Sequence, residues 1–392
     1  MRAIAFFTSA AASLVACQTQ DTSSTEQAVT NGTDDPGDPA VVGLLASPEQ
    51  AACTGTLVAP RVVVTAGHCV NRGMFDVFFG TAPAMGGETI PVIDSRAHPQ
   101  FDFSTLTYDI GVLLLEHDAT VAPVPMWPGT FDDSIIGRTV RFAGFGQTGI
   151  AMLEPSTKRE GSATIAELND QKFTFFPMPS QPCVGDSGGP GFFMETDGTE
   201  YLAGVISSGD PMCMMFARMM RIDIGKTTFI EPYIARTAPG SQDVGHICYY
   251  DQNCTTGMCV AASDDPMLHY CSQTCSGPAD CPSTMECDGT CRYMEPTPGT
   301  LGTACESSFD CSSNLCKDVG EKGETLCSSH CMVDPQCGTG FLCKDFDPDP
   351  DVADGYCVPE PQGCCAVGGR GSGMNVVLFM LAALGVSRRR RR

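Results

Sequence analysis

Gly185-Asp186-Ser187-Gly188-Gly189-Pro190 is the stretch on which the reading of this chain turns. A serine hydroxyl is a weak nucleophile near neutral pH and needs a base within hydrogen-bond reach. Two upstream segments supply candidate partners: Val64-Thr65-Ala66-Gly67-His68-Cys69 and Tyr108-Asp109-Ile110-Gly111-Val112-Leu113-Leu114. A histidine can take the serine's proton and hand it to a leaving group, and an aspartate can hold the imidazole's tautomer. The apolar flank Ile110 to Leu115 fits a buried carboxylate at the start of a core strand.

Together, in the order His, Asp, Ser, these segments resemble the chymotrypsin/trypsin-like serine peptidase family. The resemblance implies a triad of His68, Asp109 and Ser187, with an oxyanion hole formed by the N–H groups of Gly185 and Ser187. It also implies two disulfides, Cys53 with Cys69 beside the histidine and Cys183 with Cys213 beside the nucleophile. A third bridge common in the family has no counterpart here, so one loop beside the pocket is expected to be looser. The pocket base, six residues before the nucleophile, is Gln181 in place of the aspartate that reads Arg or Lys. Gly209 and Ala217 would line an open slot, and Ser207 with Gly209 would pair with substrate backbone. Ser208 stands where the family usually has tryptophan. An uncharged P1 side chain, apolar or small, is the expectation. For Met212, Met214, Met215, Met219 and Met220 core packing is expected.

Activation in that family uses a new N-terminal ammonium that folds inward onto the aspartate before the nucleophile, here Asp186. The matching stretch is Val29-Thr30-Asn31-Gly32, so a cut after Ala28 would free Val29. No Arg or Lys precedes it, which argues against a trypsin-like activator. The plainer alternative is that Val29 only begins the first strand.

At 392 residues the chain should hold more than one domain. From Val29 to Arg236, short β-rich runs such as Val41–Leu45, Thr56–Val58, Val62–Val64 and Ile110–Leu115 alternate with turns. That pattern predicts an all-β sandwich or barrel. The resemblance sharpens it to two six-stranded antiparallel barrels with the cleft between them. A closing helix is expected over Thr228–Ile234, where Pro232 is awkward.

After a linker at Thr237–Gly245 the cysteines repeat. One set is Cys248, Cys254, Cys259, Cys271, Cys275, Cys281, Cys287 and Cys291. The other is Cys305, Cys311, Cys316, Cys327, Cys331, Cys337, Cys343 and Cys357. The first three pairs are offset by 57 residues, the next four by 56 and only the last by 66. Two copies of one small module are therefore expected, at 246–293 and 303–358. Each has too few large apolar residues for a self-sufficient core and should be stapled by four disulfides. Eight cysteines allow on the order of a hundred pairings, so connectivity stays open.

The 23 cysteines, spaced as a framework, point to an oxidising, exported setting. A formal charge of −23 argues against nucleic acid as a partner, since no basic stripe exists to neutralise phosphates. Residues 1–17 read as a signal peptide, whose end Leu14-Val15-Ala16-Cys17 resembles a bacterial lipobox that would lipidate Cys17. Residues 18–28 read as a polar pro-segment, and a cut after Ala28 would also part the domain from that lipid. Residues 363–392 carry Cys364-Cys365, a short apolar run and five arginines, and resemble MYXO-CTERM sorting tails. The run Met374–Val386 is too short to span a bilayer of about 30 Å. The expectation is a protein secreted to the bacterial cell surface or outer membrane, held by lipid or tail and open to release.

His98, His117, His246, His269 and His330 show no metal-ligand spacing and read as surface or turn residues. No cofactor and no metal is expected. Asp345, Asp347, Asp349, Asp351 and Asp354 suit Ca²⁺ in principle but lack the rest of an EF-hand pattern, and read as a solvated acidic loop. Asn31-Gly32-Thr33 and Asn253-Cys254-Thr255 match a glycosylation pattern of little meaning in a bacterium.

The reading is an exported serine endopeptidase acting on protein or peptide through an acyl-enzyme. The modules would bind a surface ligand or form a resistant stalk. The rival is a catalytically silent, peptidase-like binding or adhesion protein.

Overall fold

Short β-rich runs punctuated by turns fold into two closed barrels in the computed structural model of the chain. It describes Val29 and residues 32–70, 76–146, 156–318, 324–331, 334–344 and 355–360. The leader with Cys17, the pro-segment, Asn31, the alternating aspartates Asp345–Asp354 and the tail lie outside the described residues.

After a two-residue strand β1 (Thr33–Asp34), the first barrel uses β2 (Val41–Ser47), β3 (Gln50–Ala59), β4 (Val62–Thr65), β5 (Asp76–Phe79), β6 (Glu88–Ala97) and β7 (Gly111–Leu115). It closes in the order β2-β3-β4-β7-β6-β5. The second uses β8 (Thr139–Gly144), β9 (Arg159–Leu168), β10 (Lys172–Pro179), β11 (Pro190–Met194), β12 (Glu200–Gly209) and β13 (Ala217–Arg221). Its order is β8-β9-β10-β13-β12-β11, and it closes because β8 pairs with both β9 and β11. β1 pairs with β9 outside that ring. Closure removes the free edges that would otherwise invite strand addition. The fold is the all-β, two-barrel architecture expected from the sequence. One continuous core runs through Val64, Val112, Leu114, Phe142, Phe173, Phe193 and Met219.

A short helix α1 (Gly67–Val70) follows β4 and carries His68. The closing helix is longer than expected and built in pieces: α2 (Asp223–Gly225), a π-helical turn Lys226–Ile230 and α3 (Glu231–Thr237). Pro232 falls in the first turn of α3, where its missing N–H is not needed.

The sixteen later cysteines pair in the same order in both groups. The bridges are 248–259, 254–271, 275–287 and 281–291, then 305–316, 311–327, 331–343 and 337–357. Each group thus consists of two four-cysteine units with interleaved first-to-third and second-to-fourth bridges. Each bridge closes a loop of 10 to 20 residues, worth about 2–4 kcal/mol against the unfolded chain.

Neither group hangs free. Thr237–Gly245, expected as a linker, is fastened to the barrels' end. The side-chain amide of Asn253 donates to the carbonyls of Arg236 (2.9 Å) and Ala238 (3.0 Å), and Tyr250 OH donates to the Thr237 carbonyl. Asn253 is fully buried, so the glycosylation-like sequence there serves packing. His98, expected at the surface, is buried against Tyr108 and Phe229, and His269 is half-buried; His117, His246 and His330 are exposed.

Arg96 on β6 is the main polar tie to the second group. It is buried, and its Nε donates to Asp94 (2.9 Å). Its Nη1 donates to the Ser308 carbonyl (3.4 Å) and to Asn314 Oδ1 (3.1 Å). Its guanidinium also lies over the Tyr249 ring at 5.4 Å. Removing one partner of a buried ion pair strands the other charge. Arg96→Ala should therefore destabilise the disulfide-intact chain by about 3–5 kcal/mol, seen as a fall of several degrees in its melting temperature. An unchanged melt would show that this tie is dispensable.

Candidate active site

Three elements converge on the cleft. Asp109, just before β7, is wholly buried and accepts four hydrogen-bond contacts. The backbone N–H of His68 donates to Oδ1 (2.9 Å). His68 Nδ1 lies 2.8 Å from Oδ2 and 3.1 Å from Oδ1, and Ser207 Oγ donates to Oδ2 (2.7 Å). An ionised carboxylate only accepts, so Nδ1 carries the proton and Nε2 is left with a free lone pair. His68 itself is buried in α1, and the disulfide Cys53–Cys69 fastens that helix to β3.

Ser187 is half-exposed at the cleft. Among the described residues its hydroxyl makes no hydrogen bond, and the N–H groups of Gly185 and Ser187 likewise donate to none. Loose contacts before substrate arrives are common in such sites. The turn around Ser187 is held hard. Gly185 and Gly188 take φ of +96° and +83°, which favours glycine, and a Cβ at Gly188 would fall 2.1 Å from Thr65 Oγ1.

Thr54 on β3 grips this turn from the other barrel. Its N–H donates to the Ser187 carbonyl (2.8 Å) and its hydroxyl to the Gly185 carbonyl (2.9 Å). The same hydroxyl accepts from the N–H of Phe145 (3.0 Å). Sequence reasoning missed Thr54; its place directly after Cys53 was the available signal.

Beside Ser187 lies a cavity of about 140 Å³ lined by Val184, Ile206, Ser208, Gly209, Asp210 and Ala217, among others. Gly209 and Ala217 are where the reading put them. Ser207 turns its side chain to Asp109, which leaves its main chain to the expected pairing with substrate backbone. Gln181, expected at the pocket base, is not among the lining residues: it is fully buried, its Nε2 donating to Asp210 Oδ1 (3.0 Å) and the Phe216 carbonyl (2.8 Å). The disulfide Cys183–Cys213 forms one edge.

Asp210 is the larger omission. Its carboxylate accepts the N–H groups of Met212, Met214, Met215 and Phe216 as well as the Gln181 amide. Burial pushes its pKa up, but these donors outweigh burial and hold it well below the usual carboxylate range. With their amides drawn inward, Met212, Met214 and Met215 turn their side chains to solvent (55%, 62% and 65% exposed), and only Met219 and Met220 pack in the core. The expectation of core packing thus fails for three of five methionines, because Asp210 dictates which way the loop faces.

Asp186 is also wholly buried. It accepts from the N–H of Gly146 (2.8 Å) and of Cys183 (2.8 Å), and no cation faces it among the described residues. Glycine at 144 and 146 leaves room for it, since a Cβ at either would fall within 2.5 Å of its carboxyl group. Burial pushes its pKa up to about 6 against those two N–H groups. Val29 is fully buried, at φ +48°, with its Cγ1 close to where a Cβ of Gly161 would lie. It precedes β1 and is not its first residue.

A two-barrel all-β fold with a serine, a histidine and a buried aspartate at the junction defines the chymotrypsin-like class of domain. Residues 29–215 match the family model described as Trypsin, and this segment is a trypsin-family domain. The chain is similar to the serine proteinase stubble of Drosophila melanogaster, 28% identical over 190 residues, covering 40% of this chain and 24% of that protein. It is 31% identical over 160 residues to the chymase of Papio hamadryas, covering 35% and 63%. It is 30% identical over 194 residues to the serine protease Hayan of Drosophila melanogaster, covering 40% and 30%. The chain therefore spans from about a quarter to just under two thirds of the length of these relatives.

A folded-state pKa near 6, above the usual 3.8, means that the stability Asp186 lends is full below pH 3.8 and is lost as pH rises through 6. In the chain not cut before Val29, Asp186→Asn should be more stable than the parent at pH 8 by up to about 3 kcal/mol. At pH 4 it should gain nothing. Thermal melts at the two pH values decide this; an equal gain at both would rule out an uncompensated charge.

Proposed function

We propose that residues 29–236 form an active serine endopeptidase that cleaves peptide bonds through an acyl-enzyme. The observation that carries this reading is the hydrogen bonding of His68 Nδ1 to a fully buried Asp109, which leaves Nε2 with a free lone pair to take a proton. In this reading Ser187 Oγ attacks the scissile carbonyl carbon as its proton passes to His68 Nε2. The carbonyl oxygen becomes an oxyanion and receives the unengaged N–H groups of Gly185 and Ser187. His68 then protonates the leaving amine, and water enters by the same route to release the acid. Asp109 stays ionised throughout and stabilises the imidazolium.

Substrate choice follows from the cavity beside Ser187. The charge of Asp210 in its wall is already taken up by the Gln181 amide and by N–H donors. Pro182, Val184, Ile206, Pro211 and Ala217 give the cavity an apolar lining. An apolar or small P1 residue suits such a slot. In a peptide panel, apolar P1 residues should exceed Lys and Arg by about tenfold or more in kcat/KM; the reverse order would assign Asp210 a direct role in binding a cation.

Activation is proposed to proceed by a cut after Ala28. The buried Asp186 without a cation, together with the buried Val29, supports the inward turn of a new ammonium onto that carboxylate. The wider reading is that of an enzyme exported to the bacterial surface and held there by a lipid on Cys17 or by the tail 363–392. It includes two cysteine-rich modules at 246–293 and 303–358, available to a surface ligand. These parts of the reading rest on sequence.

The test is the intact mass of the exported protein before and after a fluorophosphonate probe. One adduct on a chain beginning at Val29, absent from Ser187→Ala, is expected, with hydrolysis reduced at least about 10⁴-fold in that variant. A correctly trimmed chain without adduct would favour a silent, peptidase-like binding protein.

A further inference from the structure

We propose that the second cysteine-rich group is part of the catalytic machinery: Phe309 braces, through a run of packed rings, the segment that presents Asp109. This rests on the peptidase reading and assigns Phe309 a positioning role within it. Nothing in residues 29–215, the segment matched to the family, contains either Phe229 or Phe309.

The run begins on Phe309, in a short turn Ser308–Asp310 between Cys305 and Cys311. Its ring lies 6.0 Å from that of Phe229 at an interplanar angle of 12°, and 6.0 Å from Tyr233 on α3. Phe229 meets His98 edge-on at 5.1 Å. His98 stacks on Tyr108 at 4.7 Å and 14°. Tyr108 is the residue before Asp109. His98 serves as a neutral plate: its Nδ1 accepts the N–H of Gln100 (3.2 Å), and burial lowers its pKa to about 4.

Backbone contacts make the link to Asp109 firm. The N–H of His98 donates to the Ile110 carbonyl (2.8 Å), so His98 grips residues 108–110 by ring and by main chain. Tyr108 and Leu106 hold φ of +48° and +53°, a conformation that bulky side chains keep only where their surroundings over-determine it. For Tyr108 those surroundings are the His98 ring on one side and Gln171, whose Oε1 accepts the Tyr108 N–H (2.9 Å), on the other. Phe309 in turn cannot withdraw easily. The bridges 305–316 and 311–327 fix its turn, Arg96 donates to the Ser308 carbonyl, and Arg236 pairs with Asp310 at 3.3 Å.

A ring taken away at Phe309 lets Phe229 and His98 relax, and with them the strained approach to Asp109. A carboxylate that sits less well against His68 stabilises the imidazolium less. The effect should fall on turnover and on the ionisation of His68, and not on substrate affinity.

The experiment uses the full, activated, disulfide-intact chain. Phe309→Ala should lower kcat about 10- to 100-fold with KM within about twofold, and should move the acid limb of the kcat/KM profile to lower pH. Phe309→Met, which refills the space, should restore most of the rate. Tyr108→Leu should act in the same direction, and the double variant should lose less than the product of the two single losses, as coupled positions do. If Phe309→Ala does not accumulate, Phe309→Leu is read in the same way. A folded Phe309→Ala or Phe309→Leu variant with parental kcat and acid limb, or strictly multiplicative losses, overturns the proposal. A parent chain that takes up no fluorophosphonate defeats the peptidase reading instead, so the two failures are told apart.

Discussion

Two carboxylates taken wholly out of water, Asp109 and Asp186, constrain everything else in the cleft. A buried anion is tolerable only where donors replace its hydration, and the chain meets this demand in two different ways. Asp109, in the segment before β7, is served by side chain and main chain of His68 on α1 and by the side chain of Ser207 on β12, which ties the three segments together. Asp186 is served only by neutral N–H groups from its own turn and from the end of β8. The first is a finished site. The second meets no cation among the described residues, and its position beside glycines 144 and 146 leaves little space around it.

Much of the catalytic side was legible in the sequence because it is local. His68, Asp109 and Ser187 each sit in a short motif whose neighbours dictate turn or strand; strand-length apolar runs broken by turns gave an all-β sandwich or barrel, and the family resemblance made it two barrels. The cysteine repeat was legible as a register, while its connectivity was not, since pairing depends on which β-hairpins face one another. What escaped was produced by long-range packing. Thr54 matters because closing the first barrel brings β3 against the Ser187 turn, 133 residues further along the chain. Asp210 matters because five donors converge on it only once the loop 212–216 has folded around it, and that same convergence expels three methionines assigned to the core. His98 lacked any signature, since its burial comes from rings at positions 108 and 229. Pro232 was a fair warning of irregularity, met by the π-helical turn just before it.

The segment after the second barrel does more than connect. Tyr233 lies in the main core and donates to Asp94 (2.6 Å), the same carboxylate that holds Arg96. Tyr250 lies beneath Arg61 at 4.1 Å, and Tyr249 lies beneath Arg96. Aromatic residues from the cysteine-rich region therefore complete a surface that the barrels leave open. Small disulfide units gain from this as well, because their own apolar clusters are slight: Leu268, Tyr270 and Met285 are the chief apolar members in the first group.

Interleaved bridging has a topological result for how this chain withstands cleavage. Every peptide bond between Cys248 and Cys271 is spanned by at least one disulfide, and the same holds from 275 to 291, 305 to 327 and 331 to 357. A nick there severs the polypeptide without parting the molecule. Of the three joints left unspanned, two are capped by buried serines, Ser272 and Ser328, whose hydroxyls donate to the carbonyls of Cys291 and Cys357. Only 292–304 offers a place where one scission separates the two groups, so non-reducing and reducing gels of an aged sample would give different fragment ladders.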